Sequence, residues 1–315
     1  MPACPGTSPE PPSSGSVLHL AAPADGAAPS SRADTDRLLG AIPAPGTALG
    51  QPSFEPGVPN IARIYDALLG GKDNYEADRK AATDVIRVRP QVAAGARANR
   101  AFLARVVRFL AADCGVRQFL DIGIGLPAAN STHEVAQQVD PACRVTYVDN
   151  DPVVLTHARA LLTCTAPGSC DYVDADVRDS AAVLAGAARA LDMTQPVAVL
   201  LLAILHFVPD ADDPGAVVAK LADGLAPGSY LAISHVTADF APEQVTDAVT
   251  VYNTQVSVPV TPRTHAQVSG LFGGLPLVAP GVVPVTGWRS AVGGLPHQMT
   301  ADLYGGVART AQGHR

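Results

Sequence analysis

The sequence predicts an α/β fold with a mainly parallel sheet, preceded by helices and closed by an antiparallel edge. Three observations carry this. Short apolar segments alternate with helical stretches of about ten residues from Gln118 to His235, and such crossovers join parallel strands. Three helical patterns stand ahead of the first strand. After His235 the rhythm changes to short segments parted by Gly and Pro, as expected of a late antiparallel pair.

The elements follow in order. Residues 1–59 hold 12 of the 28 prolines and 7 of the 28 glycines, with Ala and Ser filling much of the rest. Such a segment gains little by collapsing, and 1–55 is expected to be a disordered tail. Ile61, Ile64, Tyr65, Leu68 and Leu69 form a helical stripe, with Asn60 placed to cap it and Gly70-Gly71 to end it. A polar loop, Lys72-Asp73-Asn74-Tyr75, leads to helices over Glu76–Val88 and Val92–Ala112. The first of these stops before Pro90. Residues 56–112 read as a helical cap or lid, and 113–311 as the core.

Strands are expected at Gln118–Asp121, Arg144–Val148, Asp171–Ala175, Val197–Leu205 and Ser229–His235. The run Val197–Leu205 is the most apolar, hence central. Helices are expected at Asn130–Val139, Pro152–Leu162, Ala181–Leu191 and Pro214–Leu225, with Pro152 in a first turn. Further on, Pro242–Gln255 and His265–Phe272 read as helices. Leu275–Ala279, Val282–Val285 and Leu303–Ala308 are the late strand candidates.

Composition excludes several classes. The formal charge is −7, which argues against a broad nucleic-acid surface. Nine apolar residues at Val197–Leu205 cannot span a bilayer. The start, Met1-Pro2-Ala3-Cys4-Pro5, carries no basic region, and Val17–Leu20 is too weak for a secretion signal. A cytoplasmic protein is expected. The five cysteines include no Cys-x-x-Cys; they are read as free thiols, with no zinc spacing.

The chemistry centres on Asp121-Ile122-Gly123-Ile124-Gly125, where a strand must turn into a helix. Gly123 can adopt angles closed to other residues, and Gly125 lets a ligand approach the main chain. Asp149 ends the second strand, where a carboxylate can accept both ribose hydroxyls of an adenosine group. Asp176 ends the third expected strand. Asn150 and Val177, the neighbours of these acids, complete the set. Each acid could instead cap a helix; the ordered set favours an adenosine-containing cofactor. Gly123, Gly125 and Ala128 also satisfy Gly-x-Gly-x-x-Gly/Ala, which leaves NAD open. Asp121 tilts away from it, because a carboxylate suits an ammonium better than a pyrophosphate. S-adenosylmethionine carries an ammonium, a sulfonium and an adenosine but no phosphate, and matches these acids on charge.

The segments Pro59–Asn74, Gln118–Pro127, Tyr147–Pro152, Leu205–Asp210 and Pro227–Leu231 together resemble an actinobacterial family of S-adenosylmethionine-dependent methyltransferases. The likeness spans roughly Val58–Arg309. It implies a Rossmann-like class I methyltransferase fold with seven strands, the last antiparallel. It also implies S-adenosyl-L-methionine as cofactor and S-adenosyl-L-homocysteine as product. The family's substrate is generally unassigned. Ile124 stands where many relatives are expected to carry Thr.

Methyl transfer needs an aligned nucleophile more than a catalytic group. His206, at the end of the central strand, is the candidate base; a structural histidine is the alternative. Tyr65, Gly71, Lys72 and Asn74 are candidate cofactor contacts in a loop that could close over the site; a simple helix-linking turn is the alternative. A small-molecule acceptor is the default. A cofactor-binding regulator without turnover, an NAD-dependent oxidoreductase and a purely structural protein stand as rivals. A homodimer stays open.

Overall fold

The computed structural model describes residues 55–164, 166–290 and 301–310. Apart from Glu55, the expected tail at 1–55 lies outside them, as does Cys4.

Three helices come first: α1 (Ile61–Leu69), α2 (Glu76–Val88) and α3 (Val92–Ala112). Asn60 caps α1, its Oδ1 accepting from Ala62 N and Arg63 N at 2.9 and 3.2 Å. Its Nδ2 donates to Asp151 Oδ2 at 2.7 Å. Gly70 ends α1 at φ 81°, where any Cβ is strained. The fully buried Asp78 joins α1 to α2. It accepts from Asn60 N, Arg63 Nε and Tyr75 N at 2.8–2.9 Å. Arg63 is itself buried, so loss of either partner would strand a charge.

Seven strands form one sheet among the described residues, in the order β3-β2-β1-β4-β5-β7-β6. They are β1 (Gln118–Ile122), β2 (Arg144–Asp149), β3 (Ser169–Asp174), β4 (Ala198–Leu202), β5 (Tyr230–Val236), β6 (Val283–Pro284) and β7 (Leu303–Arg309). The first five run parallel, and β7 is antiparallel to both β5 and β6. The remaining helices are α4 (Thr132–Val139), α5 (Pro152–Leu161), α6 (Ser180–Ala187), α7 (Pro214–Asp223), α8 (Pro242–Asn253) and α9 (His265–Gly270). The two faces of the sheet bury separate apolar clusters, one around Phe102, Leu110 and Trp288, the other around Leu201, Val218 and Phe272.

Several boundaries differ from expectation. The apolar run from Val197 is strand only to Leu202. Ala203 turns out of the sheet at φ 57°, and its N donates to Ser234 O and Ser234 Oγ at 3.1 and 2.9 Å. Leu205–Phe207 is then a short 3-10 turn. Strand β3 starts two residues early and stops at Asp174, so Asp176 lies beyond it. Leu275–Ala279 forms no strand and keeps a single bridge, Leu277 to Ala308. The reading of all cysteines as free thiols is also corrected. Cys164 and Cys170 form a disulfide, while Cys114 and Cys143 are free. The pair is six positions apart in sequence, and the turn before β3 brings their Cα atoms to 5.5 Å, a normal span for the bond.

Gly305 and Gly306 let β7 lie under two aromatic rings. A Cβ on Gly305 would stand 2.7 Å from Phe102 Cζ and 2.9 Å from Val285 Cγ1; one on Gly306 would stand 3.2 Å from Phe272 Cζ. Phe102 cannot retreat, because its ring packs edge-on against Trp288 at 5.5 Å. Gly305→Ala is therefore expected to cost about 1–3 kcal/mol by overpacking. Urea unfolding should show a lower midpoint at unchanged slope; an unaltered midpoint would mean the ring has room to move.

Candidate functional site

The C-terminal ends of the parallel strands open into a cavity of about 720 Å³ roofed by α1, α2, α3 and α8. Its floor is the glycine turn after β1. Gly123 sits at φ 75° and Gly125 at φ 63°. Gly123 N donates to Val148 O at 2.8 Å, tying the turn to β2. A Cβ at Gly123 would strike the Ile204 side chain at 2.7 Å, whereas one at Gly125 would meet nothing within 4 Å. The first glycine is thus required by packing and the second borders open space.

Asp149 closes β2 beside this turn. Its Oδ2 accepts from Gly125 N at 3.2 Å and its Oδ1 from Asp151 N at 3.0 Å. Burial pushes the carboxyl up to about 6, against the pull of those two amides. Asp121 is more deeply buried and also lines the cavity. Thr132 Oγ1 donates to it at 2.6 Å. Burial raises this carboxyl too, with the Thr132 bond and the Arg100 charge opposing.

Of the other expected contacts, Asn150, Val177, Tyr65 and His206 line the cavity. Asp176 does not. Its carboxylate is held by Arg178 Nη2 at 2.6 Å and accepts from Asn150 Nδ2 at 3.1 Å. The Arg178 bond keeps it below the usual carboxylate range. Gly71, Lys72 and Asn74 also stand apart from the cavity. Asn74 Nδ2 donates to Asp66 Oδ2 at 2.8 Å and to Gly71 O at 3.0 Å, and a Cβ on Gly71 would overlap Asp66. Gly71 and Asn74 thus serve to close the turn between α1 and α2, and Lys72 is exposed. The Tyr65 hydroxyl is also engaged. It donates to Ala96 O and accepts from Asn99 Nδ2, each at 3.2 Å. Asn99 Oδ1 in turn accepts from Ser234 Oγ at 2.6 Å.

His206 is only 4 % exposed, and its Nδ1 has no hydrogen-bond partner. Burial first, then the nearby His235 and Arg263, hold its proton affinity well below the ordinary imidazole value. His235 lies behind it. Its Nδ1 faces Val236 O and its Nε2 faces Arg263 Nη1, each at 2.8 Å. The proton must then sit on Nδ1, and burial lowers this ring to about 4. Arg263 is anchored by Asp210 Oδ1 at 2.6 Å and by two main-chain carbonyls.

Other aromatic and polar side chains able to carry chemistry are placed as follows. Trp288 belongs to the core rather than the cavity. Tyr252 borders the cavity, while the Asn253 amide bonds Val260 O and N. His133 is buried, with Nδ1 2.8 Å from the Tyr147 hydroxyl. It approaches Cys164 and Cys170 within 4.8 Å, a cluster that spacing alone did not suggest. The disulfide occupies both sulfurs. Arg100 escaped sequence reading. It is one of four arginines on α3, and no periodic signal separates it from the others. In the fold it lines the cavity near Asp121, with Nη2 donating to Ala129 O and Asn130 O at 3.1–3.2 Å. The α8 wall was legible in principle, since Val245, Ala248, Val249 and Tyr252 recur at helical spacing.

The strand order, the antiparallel β7 between β5 and β6, and a glycine turn facing a carboxylate on the next strand define a class I methyltransferase. The chain belongs to the S-adenosyl methyltransferase family, whose sequence profile matches residues 48–311. It is similar to a DUF574-family protein of Streptomyces avermitilis, with 44% identity over 80% of this chain and 98% of that one, and a TM-score of 0.76. It is also similar to a candidate methyltransferase of Thermobifida fusca, with 39% identity over 84% of this chain and 100% of that one, and a TM-score of 0.77. No curated protein matches. The chain is therefore an S-adenosylmethionine-dependent methyltransferase, and the NAD alternative falls. Among the described residues no helix is long and apolar enough to cross a membrane.

An imidazole kept neutral in the fold takes up a proton on unfolding, near pH 6.5. Below that value His206 withdraws stability, by up to about 1.4 kcal/mol per pH unit. Asp149 acts in the opposite sense. Its folded affinity for a proton exceeds the unfolded one, so acidification from about 6 favours the fold through this group. Denaturant titrations from pH 7 to 5 should show the native protein losing stability faster than His206→Gln by that slope. Parallel curves would mean that His206 is charged in the fold.

Proposed function

We propose that the cavity holds S-adenosylmethionine along the ends of β1 and β2, and transfers its methyl group to a small molecule under the helical cap of residues 56–112. The observation that carries this reading is the Gly125–Asp149 pair at the open edge of the cavity.

The donor set suits the cofactor. Asp149, ionised above about pH 6, accepts the ribose hydroxyls. Asn150 and Val177 flank the base. Asp121 faces the ammonium, and Arg100 takes the carboxylate. The main chain at Gly123 and Gly125 admits the amino-acid end without steric cost. S-adenosylmethionine supplies an electrophilic methyl group on a sulfonium. The remaining work of this chain is to bury that group, exclude water and hold an acceptor in line, which is where most of the rate arises. His206 lies on the acceptor side and is the group available to take or hold a proton. A roofed cavity, rather than an open basic groove, favours a small acceptor over nucleic acid. A cytoplasmic location would expose the Cys164–Cys170 bond to thiol buffers able to open it.

Calorimetric titration of the full chain tests this. S-adenosylhomocysteine and S-adenosylmethionine are expected to bind, and NAD is not. Asp149→Ala and Arg100→Ala should each weaken binding by tenfold or more, about 1.4 kcal/mol. Affinity should also decline as pH drops through about 6, an inflection absent from Asp149→Asn. Binding of NAD alone, or full affinity in Asp149→Ala, would overturn the reading.

A further inference from the structure

The walls of the cavity fall into two chemically distinct sets. One set, at the ends of β1 and β2, carries Asp121, Asp149 and Arg100 and is assigned above to the cofactor. The other, built from α2, α3, α8 and residues 256–260, is lined mainly by Val, Leu and Ala side chains. Arg89 and Asp302 at its border neutralise each other, Arg63 of α1 is paired with Asp78, and Glu55 is exposed. Arg89 Nε and Nη2 donate to the two Asp302 oxygens at 2.8 and 2.9 Å, and Nη1 donates to Gln244 Oε1. Three of its five N–H groups are used, and its charge is balanced by Asp302.

Two polar side chains of this second set remain unspent. The Tyr252 hydroxyl makes no hydrogen bond among the described residues, and burial raises its pKa well above the ordinary tyrosine value. The His206 imbalance is similar: no hydrogen bond satisfies its ring, and it stays neutral. Phe207 stands near both, its ring centroid 4.4 Å from that of His206 and 6.5 Å from that of Tyr252. Asn99 and Ser234 are consumed by their own pairing.

From this distribution, and resting on the methyltransferase reading above, we propose that the methyl acceptor is an uncharged, largely apolar ring compound that presents a phenol-type hydroxyl to His206 and Tyr252. A carboxylate or phosphate acceptor would enter the apolar part with no free cation to meet it. An ammonium in the apolar part would find the Asp302 carboxylate already bound by Arg89, and burying either charge unpaired is strongly unfavourable. A hydroxyl has one donor and two acceptor sites, which match a neutral imidazole nitrogen on one side and a tyrosine hydroxyl on the other. The Phe207 ring suits a flat partner through edge or offset contacts.

The chemistry closes. The acceptor oxygen forms the bond to the methyl carbon. The carbon–sulfur bond breaks and leaves its electron pair on sulfur. The hydroxyl proton passes to His206 and then to water. As the oxygen–carbon bond forms, that proton becomes strongly acidic, so a weakly basic imidazole suffices.

The test is binding to the full chain saturated with S-adenosylhomocysteine, whose own binding is measured first. Four probes of one size are compared: 2-naphthol, naphthalene, 2-naphthoate and 2-naphthylmethylammonium. 2-Naphthol is expected to bind at least tenfold more tightly than either charged probe. Tyr252→Phe should weaken 2-naphthol about three- to tenfold, as for one lost hydrogen bond, and leave naphthalene unchanged. A merely structural Tyr252 would shift both probes alike. If S-adenosylhomocysteine itself fails to bind, the underlying methyltransferase site is wrong. If it binds and a charged probe matches or exceeds 2-naphthol, or Tyr252→Phe spares 2-naphthol, the acceptor class proposed here is wrong.

Discussion

The helical roof is fastened to the sheet through a buried chain of polar groups, and the cavity exists because of it. Ala203 N donates to Ser234 Oγ, which donates to Asn99, whose amide donates to the Tyr65 hydroxyl, which donates to Ala96 O. The chain begins where the central strand leaves the sheet, passes through Tyr65 on the first helix and ends on the third. Each member satisfies its neighbour, so removal of any one leaves an unpaired group in a dry interior. Apolar packing could hold the helices nearby. Directional bonds set their distance from the strand ends, and that distance makes a cavity rather than a collapsed core.

The electrostatics follow from the same enclosure. Water is kept from Asp121 and Asp149, and their carboxyls rise for that reason before any neighbour is counted. His206 and His235 fall for the same reason. One cause thus prepares acids able to meet hydroxyls and an ammonium, and an imidazole that remains neutral beside an apolar chamber. Arg263 reinforces the second effect from behind, since its charge is held by Asp210 and main-chain carbonyls.

Local signals were legible wherever the physics was local. Asn60 as a cap, Gly70 as a helix end, Pro152 in a first turn and the glycine turn after β1 all stand as read. Elsewhere a partner distant in sequence decided the outcome. Ala203 is as apolar as its neighbours, yet it leaves the strand because Ser234 offers two acceptors. Arg100 carries no mark in the pattern of α3, and only the packing of that helix over the glycine turn brings it to the cavity. The apolar chamber needed four helices to be placed before its lack of free charge could be recognised.

One contact ties the two ends of the site into a single equilibrium. Asn60 caps α1 with its oxygen and grips Asp151 with its nitrogen, and Asp151 caps α5 directly after Asp149. Seating of the first helix and order at the edge of the second strand therefore share one side chain. Any ligand that prefers the ordered edge also raises the population of seated helix, by the ratio of its affinities for the two states. Reciprocity makes the seating of the first helix a reporter of occupancy, and loosening it at Asn60 carries a penalty in affinity through that shared equilibrium.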